Sequence, residues 1–301
     1  MSAWLFPLPG YGAEPSVGVL YPDLGDPYRK IFLEILGGIE GELGRPVKPY
    51  LVNADNPPAA VAGGMTRDGV DVAITLGRAG LAAAKALAGE IPVVVGAVLI
   101  SPEDTQLGLS GISLNPDPQI LFSHLRDLVP GIRSVSVVYD PGHKTDIDLA
   151  RAAAQALGFR LEALPVSDLR QSAATYRQLM GEAESKSITI WLSQDSVTMD
   201  EQAILPTVLR EAWERNVVVF SSKLDHARKG ALFSLYPDNA GLGRSLAIMA
   251  RNRARLKPDQ TAGIEPLRDV QVAVNLRTAE HLGLNFDGAA LRRFGMTFPV
   301  R

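Results

Sequence analysis

The chain contains no cysteine, and it has only four histidines among 301 residues. Without cysteine there is no disulfide, no thiolate nucleophile and no thiolate ligand for a metal. The histidines, His124, His143, His226 and His281, lie far apart and lack the spacing of metal ligands. We therefore predict a protein that holds no metal and no cofactor.

An excess of positive charge is also missing. Lys and Arg total 30, Asp and Glu total 33, and the formal net charge is −3. A nucleic-acid surface needs a basic patch, so we predict no nucleic-acid partner. No apolar run reaches the roughly 18 residues that cross a bilayer, which predicts no membrane span in the mature chain. An apolar content of 46% with 21% charged residues is typical of a globular protein.

The common catalytic motifs are absent. The sequence has no Gly-x-Ser-x-Gly elbow, no Walker-type phosphate loop and no His-Glu-x-x-His pair. Nothing supplies a nucleophile with its base, so we predict that the protein is not an enzyme. An α/β enzyme with a two-lobed cleft is kept as an alternative, which turnover of a bound ligand would reveal.

Residues 1–13 are apolar, and the first basic side chain of the chain is Arg29. A complete secretory signal has a basic start and a longer apolar core. We interpret residues 1–15 as the remnant of an export signal or as a disordered tail. The lack of cysteine suits an oxidising compartment, and we predict a periplasmic or other extracytoplasmic location.

From residue 16 onwards, β-rich runs alternate with amphipathic helices. The first helix has apolar residues at Ile31, Phe32, Ile35 and Leu36, a spacing that turns one face towards a sheet. Residues 92–98 are almost entirely apolar, which is typical of a parallel strand buried on both faces. This alternation predicts an α/β fold.

The pattern then repeats. Residues 16–21 read Ser-Val-Gly-Val-Leu-Tyr and residues 134–139 read Ser-Val-Ser-Val-Val-Tyr, each followed by a polar loop and an amphipathic helix. Between them, Asn115-Pro116-Asp117-Pro118 marks a hinge or linker. We predict two Rossmann-like lobes with a ligand cleft between them. The first comprises residues 16–114 with 238–264, and the second comprises residues 115–237 with 265–301.

Ligands of open α/β sheets bind where parallel strands end, so polar residues that follow buried strands are the candidates for a site. Asp195 either accepts hydrogen bonds from a ligand ammonium or caps the helix that follows. Arg78, at a helix start, either clamps a carboxylate or phosphate or forms a salt bridge on the surface. The predicted ligand-binding residues are Asp26, Tyr28, Arg78, Ala79, Gln194, Asp195, Ser221, Ser222, Tyr236 and Asp238.

For most of the remaining candidates, a purely structural role is the alternative to ligand binding. Ser221 and Ser222 either donate into the cleft or form an ordinary turn after a strand. Tyr236 and Asp238 lie at a crossover and are either ligand contacts or hinge residues. Asp26 and Tyr28 follow the first strand, at the usual place of a ligand loop.

Several segments, in their order along the chain, resemble one family. They are Ile91-Pro92-Val93-Val94, Gly111-Ile112-Ser113, Leu128-Val129-Pro130-Gly131, Val137-Val138-Tyr139-Asp140-Pro141, Gln194-Asp195, Gly230-Ala231-Leu232, Gly241-Leu242-Gly243 and Val274-Asn275-Leu276-Arg277-Thr278-Ala279. The chain resembles the uncharacterised bacterial ABC-transporter substrate-binding proteins, which have the type I periplasmic-binding-protein fold. The resemblance implies two Rossmann-like lobes, three crossover strands and a small enclosed ligand, with amino acids, some of them aromatic, bound by the better-understood members.

Two positions depart from the family's pattern. Gly77-Arg78 stands where the family has a small hydroxyl residue or Pro-Ala, and Tyr236-Pro237-Asp238-Asn239 stands where it has Asp-Tyr. Both positions face the predicted cleft.

The predicted function is that of an exported solute-binding protein. It closes around a small polar molecule, with an amino acid or related zwitterion as the candidate, and delivers it to a membrane ABC permease. Asp195 would take the ammonium and Arg78 the carboxylate. The alternative from another class is a ligand-sensing subunit that signals to a membrane protein.

Overall fold

The structure is a computed structural model that describes residues 14–87, 89–101, 104, 108–182, 188–256, 260 and 263–299. Most of the predicted tail, residues 1–13, lies outside this part of the chain. The described residues form two sheets with helices packed on both faces, as the alternating pattern predicts. Among these residues, no helix is long and apolar enough to cross a membrane.

The first half of the chain supplies most of one sheet. Its elements are β1 (Val17–Pro22), α1 (Tyr28–Leu43), β2 (Lys48–Val52), α2 (Pro58–Arg67), β3 (Val72–Leu76), α3 (Gly77–Leu87), β4 (Val93–Val98), β5 (Ser110–Pro116), α4 (Pro118–Leu128), β6 (Ser134–Tyr139), a 3₁₀ turn (Pro141–His143), α5 (Lys144–Leu157), β7 (Arg160–Pro165) and α6 (Leu169–Glu182).

The second half completes both sheets. Its elements are β8 (Thr189–Leu192), α7 (Leu205–Glu214), β9 (Val218–Ser221), α8 (Leu224–Lys229), β10 (Phe233–Pro237), α9 (Asn239–Arg253), β11 (Ile264–Leu267), β12 (Val270–Asn275), α10 (Leu276–His281), α11 (Gly288–Arg293) and β13 (Met296–Phe298).

The first sheet has the strand order β11-β5-β4-β3-β1-β2, and all its pairings are parallel. The second has the order β13-β12-β10-β9-β8-β6-β7, in which β12 runs antiparallel to β10. In β4, Val93, Val94 and Val95 are all buried, as expected for a strand covered on both faces. We call each sheet with its packed helices a lobe, numbered in chain order.

Helix α9 lies in the second half of the sequence but packs on the first lobe. It contacts α1 most extensively and also reaches β3, β4 and β5. The contact with α1 is a backbone contact, because a Cβ added at Gly38 would lie 2.1 Å from the Ala240 carbonyl oxygen, and one at Gly243 would lie 2.1 Å from that of Ile35. Glycine at both positions lets the two helices approach this closely.

Both predicted lobe limits, at residues 114 and 264, fall inside strands. β5 continues to Pro116 because Pro116 is still paired with Leu267 of β11. Asp117 then caps α4 by accepting from Gln119 N–H at 2.8 Å, with Pro118 in the first turn. We therefore propose limits at about Pro116 and Leu267 for the first lobe.

Three chain connections join the lobes, after β5, β10 and β11, and they lie side by side. The Asp117 N–H donates to Leu267 O at 2.8 Å, and the Asp238 N–H donates to Asp269 O at 2.9 Å. Arg268 Nε lies 3.0 Å from Asp117 Oδ2. These bonds group the connections into one hinge, beside which the strand ends of both sheets meet.

Candidate functional site

The ends of β6, β8 and β9 in the second lobe face the end of β5 and the strand β11 in the first. Two adjoining cavities of about 30 and 90 Å³ lie between them and share Asn115, His143, Asp146, Leu149 and Pro266. We call their combined space the hinge cleft. Its remaining walls include Ser113, Tyr139, Trp191, Ser193, Gln194, Asp195, Ser222 and Glu265.

Asp195 follows β8 and is only 4% exposed. Its Oδ2 accepts from Asp140 N–H at 2.7 Å, and its Oδ1 accepts from Val197 N–H at 2.8 Å. The carboxylate thus joins the loop after β8 to the loop after β6. Each oxygen keeps a second lone pair, so a ligand cation in the cleft could share the carboxylate with these backbone donors.

Gln194 and Ser222 lie beside Asp195 in the same wall. Gln194 Nε2 donates to the Ser222 carbonyl oxygen, and Trp191 Nε1 donates to Ser222 Oγ at 2.9 Å. Ser222, which follows β9, therefore holds both the Trp191 indole and the Gln194 side-chain amide in position. Ser193 Oγ, next to them, is buried with no hydrogen-bond partner among the described residues.

His143 and Asp146 form the wall contributed by the loop after β6. His143 Nδ1 lies 3.5 Å from Asp146 Oδ2, and Asp146 raises the pKa of His143 above its ordinary value against the effect of partial burial. Asn115 Nδ2 donates to Asp146 Oδ2 at 3.2 Å, which links the two lobes directly. Among the described residues, no group of three or more His, Asp or Glu side chains is arranged to hold a metal.

Ser221 lies behind the cleft wall rather than in it. It is fully buried, with Oγ 3.1 Å from Leu192 O and 2.7 Å from His226 Nδ1, and it accepts from Lys223 N–H at 3.0 Å. Burial lowers the pKa of His226 to about 4. The structure therefore places Ser221 in a buried hydrogen-bonded group beside α8.

The first-lobe candidates lie after β1 and β3, with Asp26 in a loop, Tyr28 at the start of α1, and Arg78 and Ala79 in the first turn of α3. Arg78 Nη1 is 3.6 Å from Asp104 Oδ2, and Lys85 Nζ is 3.8 Å from Asp104 Oδ1. Ala79 is partly buried against the core, whereas Asp26 and Tyr28 are exposed. None of these four lines the hinge cleft.

Tyr236 and Asp238 lie at the connection from β10 to α9. Tyr236 Oη donates to Gln271 Oε1 at 2.7 Å, and Arg244 Nη2 lies 3.6 Å from Asp238 Oδ2. They support the hinge and do not line the cleft. Of the ten predicted positions, the structure brings Gln194, Asp195 and Ser222 together.

Four residues of the cleft, Asn115, His143, Asp146 and Trp191, were not among the predicted site residues. For His143 and Asp146 a signal existed, because the repeat places residues 140–146 after β6 as residues 22–28 are placed after β1. The polar loop after β6 was therefore a candidate on the same grounds as the loop after β1.

A family model described as "ABC transporter substrate binding protein" matches residues 53–294. The chain therefore belongs to the ABC-transporter substrate-binding protein family. No curated protein sequence matches it significantly.

Solved structures share the fold at low sequence identity. A ligand-free, open substrate-binding protein with adhesive properties from Clostridium difficile is 16% identical with a TM-score of 0.66, covering 95% of this chain and 100% of that one. A Streptococcus pneumonia ABC domain in complex with L-Trp is 19% identical with a TM-score of 0.51, covering 95% and 100%. A Vibrio cholerae conserved domain protein is 19% identical with a TM-score of 0.50, covering 94% and 99%. These likenesses support the two-lobed periplasmic-binding-protein fold.

Proposed function

We propose that the protein is an exported receptor that closes its two lobes around a small polar molecule and delivers it to an ABC permease in the membrane. The observation that carries this proposal is the hinge cleft, where Trp191, Gln194 and Ser222 of one lobe face Asn115 and Pro266 of the other. A ligand that contacts both walls gains some of its contacts only when the lobes close. Its binding therefore biases the hinge towards the closed state.

For the ligand, we propose an amino acid or a related zwitterion. Asp195 and Asp146 give the second-lobe wall a negative charge that suits an ammonium group. The Arg78 side chain, on the first lobe, is 71% exposed, and its Nη1 lies 3.6 Å from Asp104 Oδ2, which is long for an ion pair. The buried Asp104 carboxylate also accepts from Ser101 and lies 3.8 Å from Lys85 Nζ, so it keeps partners if the exposed Arg78 turns to a ligand carboxylate when the lobes close. The L-Trp in the Streptococcus structure is a molecule of this class.

A thermal-shift screen of amino acids and related small acids tests the proposal. A ligand that binds only the folded state stabilises it by about 2.7 kcal/mol at roughly 100 times its dissociation constant. Trp191 lies in the cleft wall, so the ligands found should also change the tryptophan fluorescence. Failure of every zwitterion, together with binding of simple amines, would contradict the proposed ligand class.

Arg78→Ala and Lys85→Ala form a matched pair, because both side chains lie on α3 and approach the same carboxylate. We expect Arg78→Ala to weaken ligand binding roughly 30-fold or more, since it removes a charge partner from a desolvated carboxylate. Lys85→Ala should leave the affinity almost unchanged. Isothermal titration calorimetry measures both, and equal affinities for the two variants would exclude Arg78 as the carboxylate contact.

Delivery to a permease needs its own experiment. When ligand-loaded protein is added to membranes of the organism that produces it and a cross-linker is applied, we expect it to be linked to a membrane permease. Cross-linking to a membrane kinase or cyclase instead would replace the transport role with a sensing role.

A further inference from the structure

A larger depression lies on the second lobe and shares no lining residue with the hinge cleft. It has a volume of about 860 Å³ and lies between α7 on one side and α8, the start of α10 and the end of β13 on the other. Leu209, Arg210 and Trp213 line the α7 side, and Arg277, Phe298 and Pro299 line the other. We call it the α7 groove.

The two walls of the α7 groove are tied to each other at both ends. At one end Trp213 stacks on His281, with ring centroids 3.7 Å apart and 9° between the planes, and Trp213 O lies 2.8 Å from His281 Nε2. At the other end Lys229 Nζ lies 2.5 Å from Glu201 Oε2. The groove is therefore preformed, so an occupant would not have to pay for ordering its walls.

The wall opposite α7 is also fixed internally. Asn275 Nδ2 donates to Ala227 O at 2.8 Å, and Thr278 Oγ1 donates to Gly230 O at 2.9 Å, so α10 is joined to α8. Arg228 lies over the Phe298 ring at 5.5 Å, which holds the end of β13 against α8. These contacts fix the backbone segments that carry Arg277 and Pro299 against α8.

The groove is positively charged although the chain as a whole has a net charge of −3. Four cationic side chains and one carboxylate line it. The carboxylate, Glu201, is already bound by Lys223 and Lys229, which lower its pKa to about 2. Within the described part of the chain, Arg210 and Arg277 have no carboxylate partner. Two cations on opposite walls thus remain available to an incoming anion.

Between these cations the surface is apolar and open. Trp213 is 44% exposed, and Arg228 at the opposite wall is 61% exposed in its side chain. A metabolite site buries most of its ligand, whereas this groove is accessible along its length. The α7 residues that line the groove run from Leu205 to Trp213, about 12 Å along the helix axis, which accommodates about four residues of extended chain.

We propose that the α7 groove binds an extended acidic segment of a partner protein, in which carboxylates alternate with aromatic or large apolar side chains. In an extended chain, alternate side chains point to opposite sides. The apolar side chains would lie on Leu209 and Trp213, and the carboxylates on the other side of the segment would face Arg277 on the opposite wall, within the positive field that Arg210 adds to the groove. The charge complementarity and the open, preformed shape favour this occupant over a neutral one.

The test uses fluorescence anisotropy with a fluorescein-labelled heptapeptide of alternating Glu and Phe, and a matched heptapeptide of alternating Lys and Phe. We expect saturable binding of the Glu peptide, weakened by added salt, and no saturable binding of the Lys peptide. Arg210→Glu and Arg277→Glu should each weaken binding of the Glu peptide about 10-fold or more. Arg151→Glu, which makes the same charge change at an exposed position on α5, should change it by less than about twofold.

Circular dichroism and the melting temperature establish that each variant is folded, and ligand binding in the hinge cleft should persist in all of them. The proposal is overturned if the two peptides bind equally, if the Glu peptide does not saturate, or if the Arg210 and Arg277 reversals have no effect. It is also overturned if sedimentation velocity shows a wild-type dimer that Arg210→Glu dissociates, because the occupant would then be a second copy of the chain. Displacement of the peptide by free phenylacetate at lower concentrations than the peptide itself would assign the groove to a small aromatic acid instead.

Discussion

Asp195 is both a wall of the hinge cleft and a structural acceptor for two backbone N–H groups, of Asp140 and Val197. Removing the buried carboxylate leaves the two N–H groups without this acceptor in the loops after β6 and β8. We therefore expect Asp195→Ala to lower the free energy of unfolding by about 1–3 kcal/mol even without ligand. Urea denaturation of the ligand-free protein measures this loss.

Asp148→Ala is the control for this change. Asp148 is an exposed carboxylate on α5 that pairs with Lys144, so its removal should change the unfolding free energy by less than about 0.5 kcal/mol. Equal stabilities of the two variants would show that Asp195 has no structural role and that any loss of binding in Asp195→Ala reports ligand contact alone.

His226 should make the stability depend on pH. Burial lowers its pKa to about 4 in the folded protein, whereas an unfolded histidine titrates near 6.5. Between these values the unfolded chain binds more protons, so the free energy of unfolding falls as the pH decreases from about 6.5 towards 4, by about 3 kcal/mol in total. Glu201 adds to this loss only in the lower part of the window, because its pKa of about 2 lies below its ordinary value of 4.5 and the unfolded chain begins to bind a proton there as the pH approaches 4.5.

His226→Asn retains a polar group near Ser221 Oγ but does not titrate. Its unfolding free energy should be flatter than that of the wild type between pH 6.5 and 4.5. Parallel pH profiles of the two proteins in chemical denaturation would contradict the buried neutral state of His226.

At the scale of single residues, the sequence predicted part of the candidate site. Gln194, Asp195 and Ser222 follow buried strands, and the structure places all three in one cleft wall. Ser221 and Ser222 are neighbours, yet one is turned into the interior and the other towards the cleft, because successive side chains of a strand point to opposite faces. The sequence has no feature that distinguishes them, since the choice depends on the strands packed beside β9.

At the scale of the elements, the contact between α1 and α9 makes the sharpest prediction, because it depends on glycine at particular positions. Gly37 and Gly38 are adjacent in α1, but a Cβ at Gly38 would meet the Ala240 carbonyl oxygen, whereas one at Gly37 would meet nothing within 4 Å. We expect Gly38→Ala to destabilise the protein by about 1–3 kcal/mol through overpacking. Gly37→Ala should stabilise it by about 0.5–1 kcal/mol through its effect on the helix.

Thermal and urea unfolding of the two variants give a direct comparison. Opposite signs are expected for neighbouring positions that carry the same substitution. Similar effects of the two alanines would mean that α9 does not pack on α1 through its backbone, and the assignment of α9 to the first lobe would lose its main support.

Hydrophobic spacing predicted the order of helices and strands well, but it misplaced some ends. The two prolines of residues 115–118 predict a hinge or linker, and the chain does pass between the lobes here, but no separate linker segment interrupts β5 and α4. In the structure Pro116 ends β5, Asp117 caps α4 and Pro118 occupies its first turn, where the missing N–H of proline costs nothing. The pairing of Pro116 with Leu267 extends both strands, and such a pairing across some 150 residues has no local signal.

At the scale of the whole molecule, the similarity of residues 16–21 to residues 134–139 predicted two similar halves. The structure has two sheets, one of which begins with β1 and the other with β6. What the repeat could not show is how the halves meet. The Asn115 to Asp146 hydrogen bond and the Arg268 to Asp117 ion pair join the lobes beside the hinge, so we expect the proposed closing motion to be largest on the side away from these contacts.

The absence of cysteine makes that motion measurable, since two introduced cysteines have no competing thiol. Ala54 follows β2 on the first lobe and Val197 follows β8 on the second, and both are exposed. Ala54→Cys and Val197→Cys together, spin-labelled, give an interlobe distance distribution by double electron–electron resonance. With a compound that raises the melting temperature, we predict that the distribution shortens by more than about 2 Å. An unchanged distance in protein saturated with such a compound would contradict closure around a ligand and with it the proposed receptor function.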